Sequence, residues 1–150
     1  MKKSLRKGLD FDLFGFKRLH LLVAQSESPP DKSRSIIRGV QNGKILAATS
    51  VLSFEELIWA VKKLRGEREG VTAGEVFLNM AGLAILDLKQ DTLNSALSLL
   101  KKYHLNPRDS IHAASALNAN AEYLVTEDPD FDALAEIERK PILQLATSPR

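Results

Sequence analysis

Four acidic residues have the type and spacing that hydrolytic chemistry would need. Asp109, Asp128 and Asp130 lie in one stretch of the chain, and Glu56 lies well upstream. Carboxylates gathered at one point repel: two unit charges ~4 Å apart cost about 4 kcal/mol at an effective dielectric near ~20. A cluster of three or four would therefore protonate, spread apart or take up a cation. The chain has no cysteine, and an oxygen-only ligand set suits a hard ion, Mg2+ or Mn2+, that keeps several of its waters. Such an ion can activate water for in-line attack on a phosphodiester and neutralise charge in the transition state. No side-chain nucleophile is then required.

Each residue also has a plainer role open to it. Asp109 reads as a first-turn residue of a helix, where the N-terminal dipole favours a carboxylate. Asp128-Pro129-Asp130 has the composition of a turn. Ser53-Phe-Glu-Glu56 has the capping-box form, worth roughly 1 kcal/mol, with the serine capping and the glutamate reaching back. Glu55 reads as a solvated surface charge. These roles account for the residues singly, and less well for the set.

The elements that must position the acids follow from the pattern of apolar residues. Strands are predicted at residues 19–24, 44–50, 85–88, 122–126 and 142–145. Helices are predicted from a cap at Asp31 to about Val40, from Ser53 to about Leu64, and at residues 73–81, 90–103 and 107–118. A short one is predicted near 133–137. Gly66 and Gly70 bracket a charged turn. The inward faces are Leu57, Ile58, Val61 and Leu64 in the second helix, and Leu93, Ala96, Leu97 and Leu100 in the fourth. Ile111, Ala114 and Leu117 turn inward in the fifth, whose other positions are mostly small. Alternating strands and helices imply an α/β fold with a central parallel sheet flanked by helices, three layers in all. In an open sheet of this kind the carboxyl ends of the strands form the ligand crevice. Glu56, Asp109, Asp128 and Asp130 all fall at that rim.

Length and composition fit one soluble domain over residues 1–150: 44% of residues are hydrophobic and 27% charged. A net charge of +2 is too small to announce nucleic acid by itself. Without cysteine there is no disulfide framework, thiolate metal site or cysteine nucleophile. No apolar run approaches the ~20 residues that span a bilayer. The basic start of the chain is followed by charges rather than by a signal-peptide core. The expected location is the cytoplasm, without membrane attachment.

The C-terminal third resembles the PIN-domain family, and within it the VapC-type ribonuclease toxins. The family's helix motif matches Asp109-Ser-Ile-His-Ala-Ala114, and its next strand and loop match Tyr123-Leu-Val-Thr-Glu-Asp-Pro-Asp-Phe131. Thr49-Ser-Val-Leu-Ser-Phe-Glu-Glu-Leu57 places Glu56 where the family keeps a glutamate. The resemblance runs from about Leu21 onward. It implies a metal-dependent endoribonuclease in which Glu56, Asp109 and Asp128 are the metal-site acids and Asp130 a supporting carboxylate. It further implies Mg2+ or Mn2+, RNA as substrate, a homodimer, and a small antitoxin protein as partner.

The departure is at the N-terminus, where residues 1–18 are atypical. The family's first strand ends in Asp-Thr/Ser-Asn, and that aspartate is a principal ligand. Here Lys17, Arg18 and Leu19 occupy its neighbourhood, and Asp10 and Asp12 fall too early. One codon choice for residues 14–21 reads, a single base later, as Leu-Asp-Ser-Asn-Val-Phe-Thr. An out-of-frame stretch upstream of Leu22 would account for the departure, and the DNA sequence tests it.

Other signals are weaker. His112 shares a helix face with Asp109 and reads as a packed or surface histidine. His20 and His104 are isolated, and no zinc spacing exists. Lys62, Lys63, Arg65 and Arg68 fit phosphate steering or a solvated face equally well. Trp59 reads as a core or dimer residue rather than a base-stacking platform. Two other classes compete. A PIN-like module that binds RNA or protein without turnover fits the altered N-terminus. A phosphoryl-transfer or response-receiver domain would also cluster aspartates, but it needs an acidic pair after the first strand, which is absent.

Overall fold

The computed structural model describes residues 19–22, 30–142 and 144. Residues 1–18, with Asp10, Asp12, Lys17 and Arg18, lie outside it, as do residues 23–29, with Val23 and Ala24. Among the described residues five strands form one sheet: β1 (Leu19–Leu22), β2 (Leu46–Ser50), β3 (Leu83–Leu86), β4 (Tyr123–Val125) and β5 (Glu138–Lys140). Their order is β3-β2-β1-β4-β5, and every pairing is parallel. The helices are α1 (Pro30–Gln41), α2 (Leu52–Arg65), α3 (Glu67–Leu78), α4 (Gln90–Tyr103) and α5 (Pro107–Asn118).

A parallel sheet is covered on both faces, and strand side chains alternate between them. Ala47 joins Ile36 and Val40 of α1 in one core. Ala48, its neighbour on β2, joins Ala96 and Leu99 of α4 and Ala113, Ala114 and Ala116 of α5 in the other. The result is the expected three-layer α/β arrangement. Small residues along α5 let it lie close: Ser110 and every residue from His112 to Ala116 are buried.

The strand order also fixes where a site can be. The chain winds from β1 through β2 to β3 on one side, then returns to add β4 and β5 on the other. The direction of winding therefore changes between β1 and β4, and crevices open beyond the strand ends at such a switch.

Several predicted details are corrected. Helix α1 begins at Pro30, so Asp31 lies within it rather than capping it. Strand β3 starts at Leu83, two residues before the expected 85. Helix α3 begins at Glu67, directly after Gly66, whose φ of 103° makes the bend between α2 and α3. Gly70 is therefore inside the helix rather than in a turn. Both Gly70 and Gly74 are contact residues. A Cβ on Gly74 would stand 2.8 Å from Ile58 Cδ1, and one on Gly70 would stand 3.1 Å from Lys62 Cβ.

On α4 the inward face is Thr92, Ala96 and Leu99, while Leu93 and Leu97 are exposed. Leu64, expected inward on α2, is exposed too. The helix expected at 133–137 is instead a 3-10 turn, Pro129–Ala133. Leu134 and Ile137 follow it into the core. The last strand is Glu138–Lys140, and Ile142 and Gln144 are helical rather than extended. An edge strand of charged residues gives no apolar signal, which is why it escaped the sequence pattern.

Candidate active site

Three of the four acids come together at the switch-point rim. Asp109, Asp128 and Asp130 each place a carboxylate oxygen within 4.8 Å of the others. Asp109 arrives from the first turn of α5, started by Pro107 and entered from Asn106 in extended conformation. Asn106 Nδ2 donates to Asp109 Oδ2 at 3.1 Å. Asp128 and Asp130 arrive from the loop beyond β4, where Thr126 is fully buried. The Asp128 amide donates to Thr126 Oγ1 at 3.2 Å, and the Asp130 amide donates to Asp128 Oδ1 at 2.9 Å. The turn role of Asp128 is thus real, and it occupies one carboxylate oxygen while a second remains for a ligand.

Partial burial raises the Asp109 carboxyl above the ordinary aspartate range, and the charges of Asp128 and Asp130 push it the same way. The Asn106 hydrogen bond and His112 oppose that rise. Burial is the larger cause, and repulsion from the two neighbouring carboxylates adds to it.

Glu56 stands apart from this triple, and its capping role is not observed. Helix α2 starts at Leu52 without a side-chain cap. Ser53 Oγ lies 2.7 Å from Thr49 Oγ1 in a buried hydroxyl pair. Glu56 Oε2 instead lies 3.1 Å from His112 Nε2, with the glutamate side chain 19% exposed. His112 is completely buried, one turn along α5 from Asp109. Its Nδ1 has no hydrogen-bond partner among the described residues. The acid from α2 is therefore linked to the helix that carries Asp109 through a histidine.

Sequence reasoning placed His112 on the right helix face but gave it no partner. The three-residue spacing from Asp109 was the available signal. Asn106 and Thr126 were missed as holders of the acids, and only their places beside a helix start and a strand end hinted at the roles. Glu55 is exposed and pairs with Arg108 at 3.3 Å. Of the basic residues on α2, Lys62 pairs with Glu67 at 3.3 Å, and Lys63 sits over the Trp59 ring, 4.8 Å from its centroid. Trp59 is 57% exposed, so it is not a core residue. Among the described residues no helix is long and apolar enough to cross a membrane.

Comparison with known proteins identifies the fold. One solved structure that matches is VapBC2 from Rickettsia felis bound to a DNA fragment from its promoter. The TM-score is 0.63 at 19% identity, covering 82% of this chain and 98% of that one. VapBC-1 from nontypeable Haemophilus influenzae matches with a TM-score of 0.62 at 18% identity, covering 83% and 98%. VapC20 of Mycobacterium tuberculosis, a toxin that cleaves the sarcin-ricin loop, matches at 0.59 and 15% identity, covering 79% and 97%. At such identities the likeness is one of fold. Among curated proteins there is no sequence match. The PIN domain profile matches residues 20–137, which takes in all but the first residue of β1, the whole acid cluster and Glu56. By that match, extending over most of its length, the chain belongs to the PIN domain family.

Proposed function

We propose that this chain is a metal-dependent endoribonuclease, the toxin of a toxin–antitoxin pair, acting in the cytoplasm. The observation that carries the reading is the meeting of Asp109, Asp128 and Asp130 within 4.8 Å at the switch-point rim. Three carboxylates so close are a standing demand for positive charge. The donors are all oxygen, which fits Mg2+ or Mn2+ rather than a softer ion.

Asp109, Asp128 and Asp130 would hold the ion, and Glu56, steadied by His112, would complete the set from α2. A bound divalent ion supplies a water of lowered pKa and offsets charge on the phosphodiester. Glu56, Asp109 and Asp128 would orient a water for in-line attack on phosphorus and take up its proton, while the P–O bond opposite breaks and the leaving oxygen is protonated from solvent. Glu56, Asp109 and Asp128 are the residues assigned to catalysis. RNA is the proposed substrate, in keeping with the VapC20 neighbour. The likeness to VapBC complexes supports an antitoxin partner, and a homodimer is proposed alongside it. Leu64, Val76 and Leu78 on the α2–α3 pair, with Leu93 and Leu97 on α4, supply exposed apolar surface for such partners.

A second reading, an RNA- or protein-binding PIN-like module without turnover, is favoured by Lys17, Arg18 and Leu19 standing near the family's first aspartate. Cleavage of a mixed RNA pool separates the two. A nuclease cuts with Mn2+, stops with EDTA, and loses roughly 100-fold or more in rate on Asp109→Asn. Equal, metal-independent behaviour of both chains would leave the binding module.

A further inference from the structure

One side chain holds both ends of the loop that carries two of the acids. Arg139 Nε donates to Asp132 Oδ1 at 2.7 Å and Nη2 donates to Asp132 Oδ2 at 2.9 Å. This is the two-pronged fork that only a guanidinium makes. Its Nη1 donates to the Thr126 carbonyl at 3.2 Å. Thr126 follows β4 directly, and Asp132 lies in the 3-10 turn. Asp128 and Asp130 are suspended between them.

The connection continues to the acids themselves. Thr126, gripped at its carbonyl, accepts the Asp128 amide on its hydroxyl, and Asp128 in turn accepts the Asp130 amide. A second tie comes from beyond β5, where the Ile142 amide donates to Glu127 Oε1 at 2.9 Å. The Arg139 side chain is only 15% exposed, although its partner Asp132 is 58% exposed. Repulsion between Asp109, Asp128 and Asp130 pushes this loop outward. A loop pinned at both ends cannot relieve that push by swinging open.

We propose that Arg139 is a positioning residue for the acid cluster: by joining Thr126 to Asp132 it keeps Asp128 and Asp130 beside Asp109 in the absence of a cation. The inference rests on reading the cluster as a metal site. Arg139 touches neither metal nor substrate, and acts by sparing the ion the cost of gathering its ligands.

The test is titration of the full chain with Mn2+ alone, followed by electron paramagnetic resonance of the free ion. Melting temperatures in EDTA and in Mn2+ accompany it. Arg139→Gln and Asp132→Asn should each weaken Mn2+ binding about tenfold, as loss of a supporting partner does at other metal sites. Their combination should be no weaker than either alone, because both remove the same fork. Arg139→Lys keeps the charge without the fork and should stay weakened.

Lys102→Ala breaks another exposed ion pair, to Glu136 at 2.7 Å, and should leave Mn2+ affinity unchanged whatever its melting temperature. Wild-type affinity in Arg139→Gln, even with a lower melting temperature, would reduce Arg139 to a structural tie and overturn the proposal. If Arg139→Gln fails to fold, Asp132→Asn decides between the two by the same criterion. Failure of the wild type to bind Mn2+, or equal binding by Asp109→Asn, would instead overturn the metal-site reading beneath it.

Discussion

Replacing Asp109 by asparagine should make the metal-free protein more stable at neutral pH. The asparagine keeps an oxygen for Asn106 and loses the charge that Asp128 and Asp130 repel. At the 4.8 Å limit of the cluster, each pair costs about 3.5 kcal/mol at an effective dielectric near 20 and about 0.9 kcal/mol in water. Asp130 is exposed and Asp128 half-buried, so the water-like end applies, and two pairs give roughly 1–2 kcal/mol. For a chain of this size that is roughly 2–8 °C in melting temperature.

The pH dependence has a definite sign. The Asp109 pKa is raised in the folded state, so the unfolded chain releases its proton first, and ionisation in the fold is a penalty. The fold loses stability as pH rises from the unfolded value, ~3.9, through the folded one, and the loss persists above it. Melting of both chains in EDTA should therefore show Asp109→Asn ahead at pH 7 and the lead shrinking toward pH 3. Added Mn2+ should reverse the order by raising the wild type alone. An asparagine variant that is less stable than wild type in EDTA at pH 7, or whose lead does not shrink in acid, would refute the electrostatic reasoning.

Two further predictions concern packing and the histidine link. Leu99→Ala should cost roughly 2–5 kcal/mol in chemical denaturation, because Leu99 lies in the core between α4 and the sheet. Leu97→Ala should cost less than about 1 kcal/mol, since Leu97 is 52% exposed; similar losses for both would contradict the orientation of α4. His112→Phe keeps an aromatic ring in the buried position but leaves Glu56 without its hydrogen-bond partner. It should destabilise the chain by roughly 1–3 kcal/mol and reduce RNA cleavage, with wild-type values for both measurements excluding a role for the pair.

What the sequence determined is what repeats along the chain or sits next to its cause. Alternating apolar runs are local facts, and they specified a parallel sheet with helices on both faces. Pro107 with Asp109 marked the start of α5, and Asp128-Pro129-Asp130 marked a loop after β4. From those placements and the rule that parallel strands share one carboxyl edge, the meeting of Asp109, Asp128 and Asp130 could be anticipated.

Tertiary structure decided matters in which local preference had rivals. Ser53 and Glu56 had the spacing of a reciprocal cap, yet Thr49 and His112 offered partners across the fold, and buried polar groups take the partners that packing brings. On α4 the expected inward stripe was Leu93, Ala96, Leu97 and Leu100, yet packing against α5 and the sheet buries Thr92, Ala96 and Leu99. Gly70 read as part of a turn because nothing local shows that Lys62 will press against it. Arg139 lay in a charged stretch without any pattern, and its grip on Thr126 and Asp132 exists only because β5 folds back beside β4. Periodicity is written along one chain, whereas which of two satisfactory partners a side chain meets depends on distances that only the packed sheet and helices set.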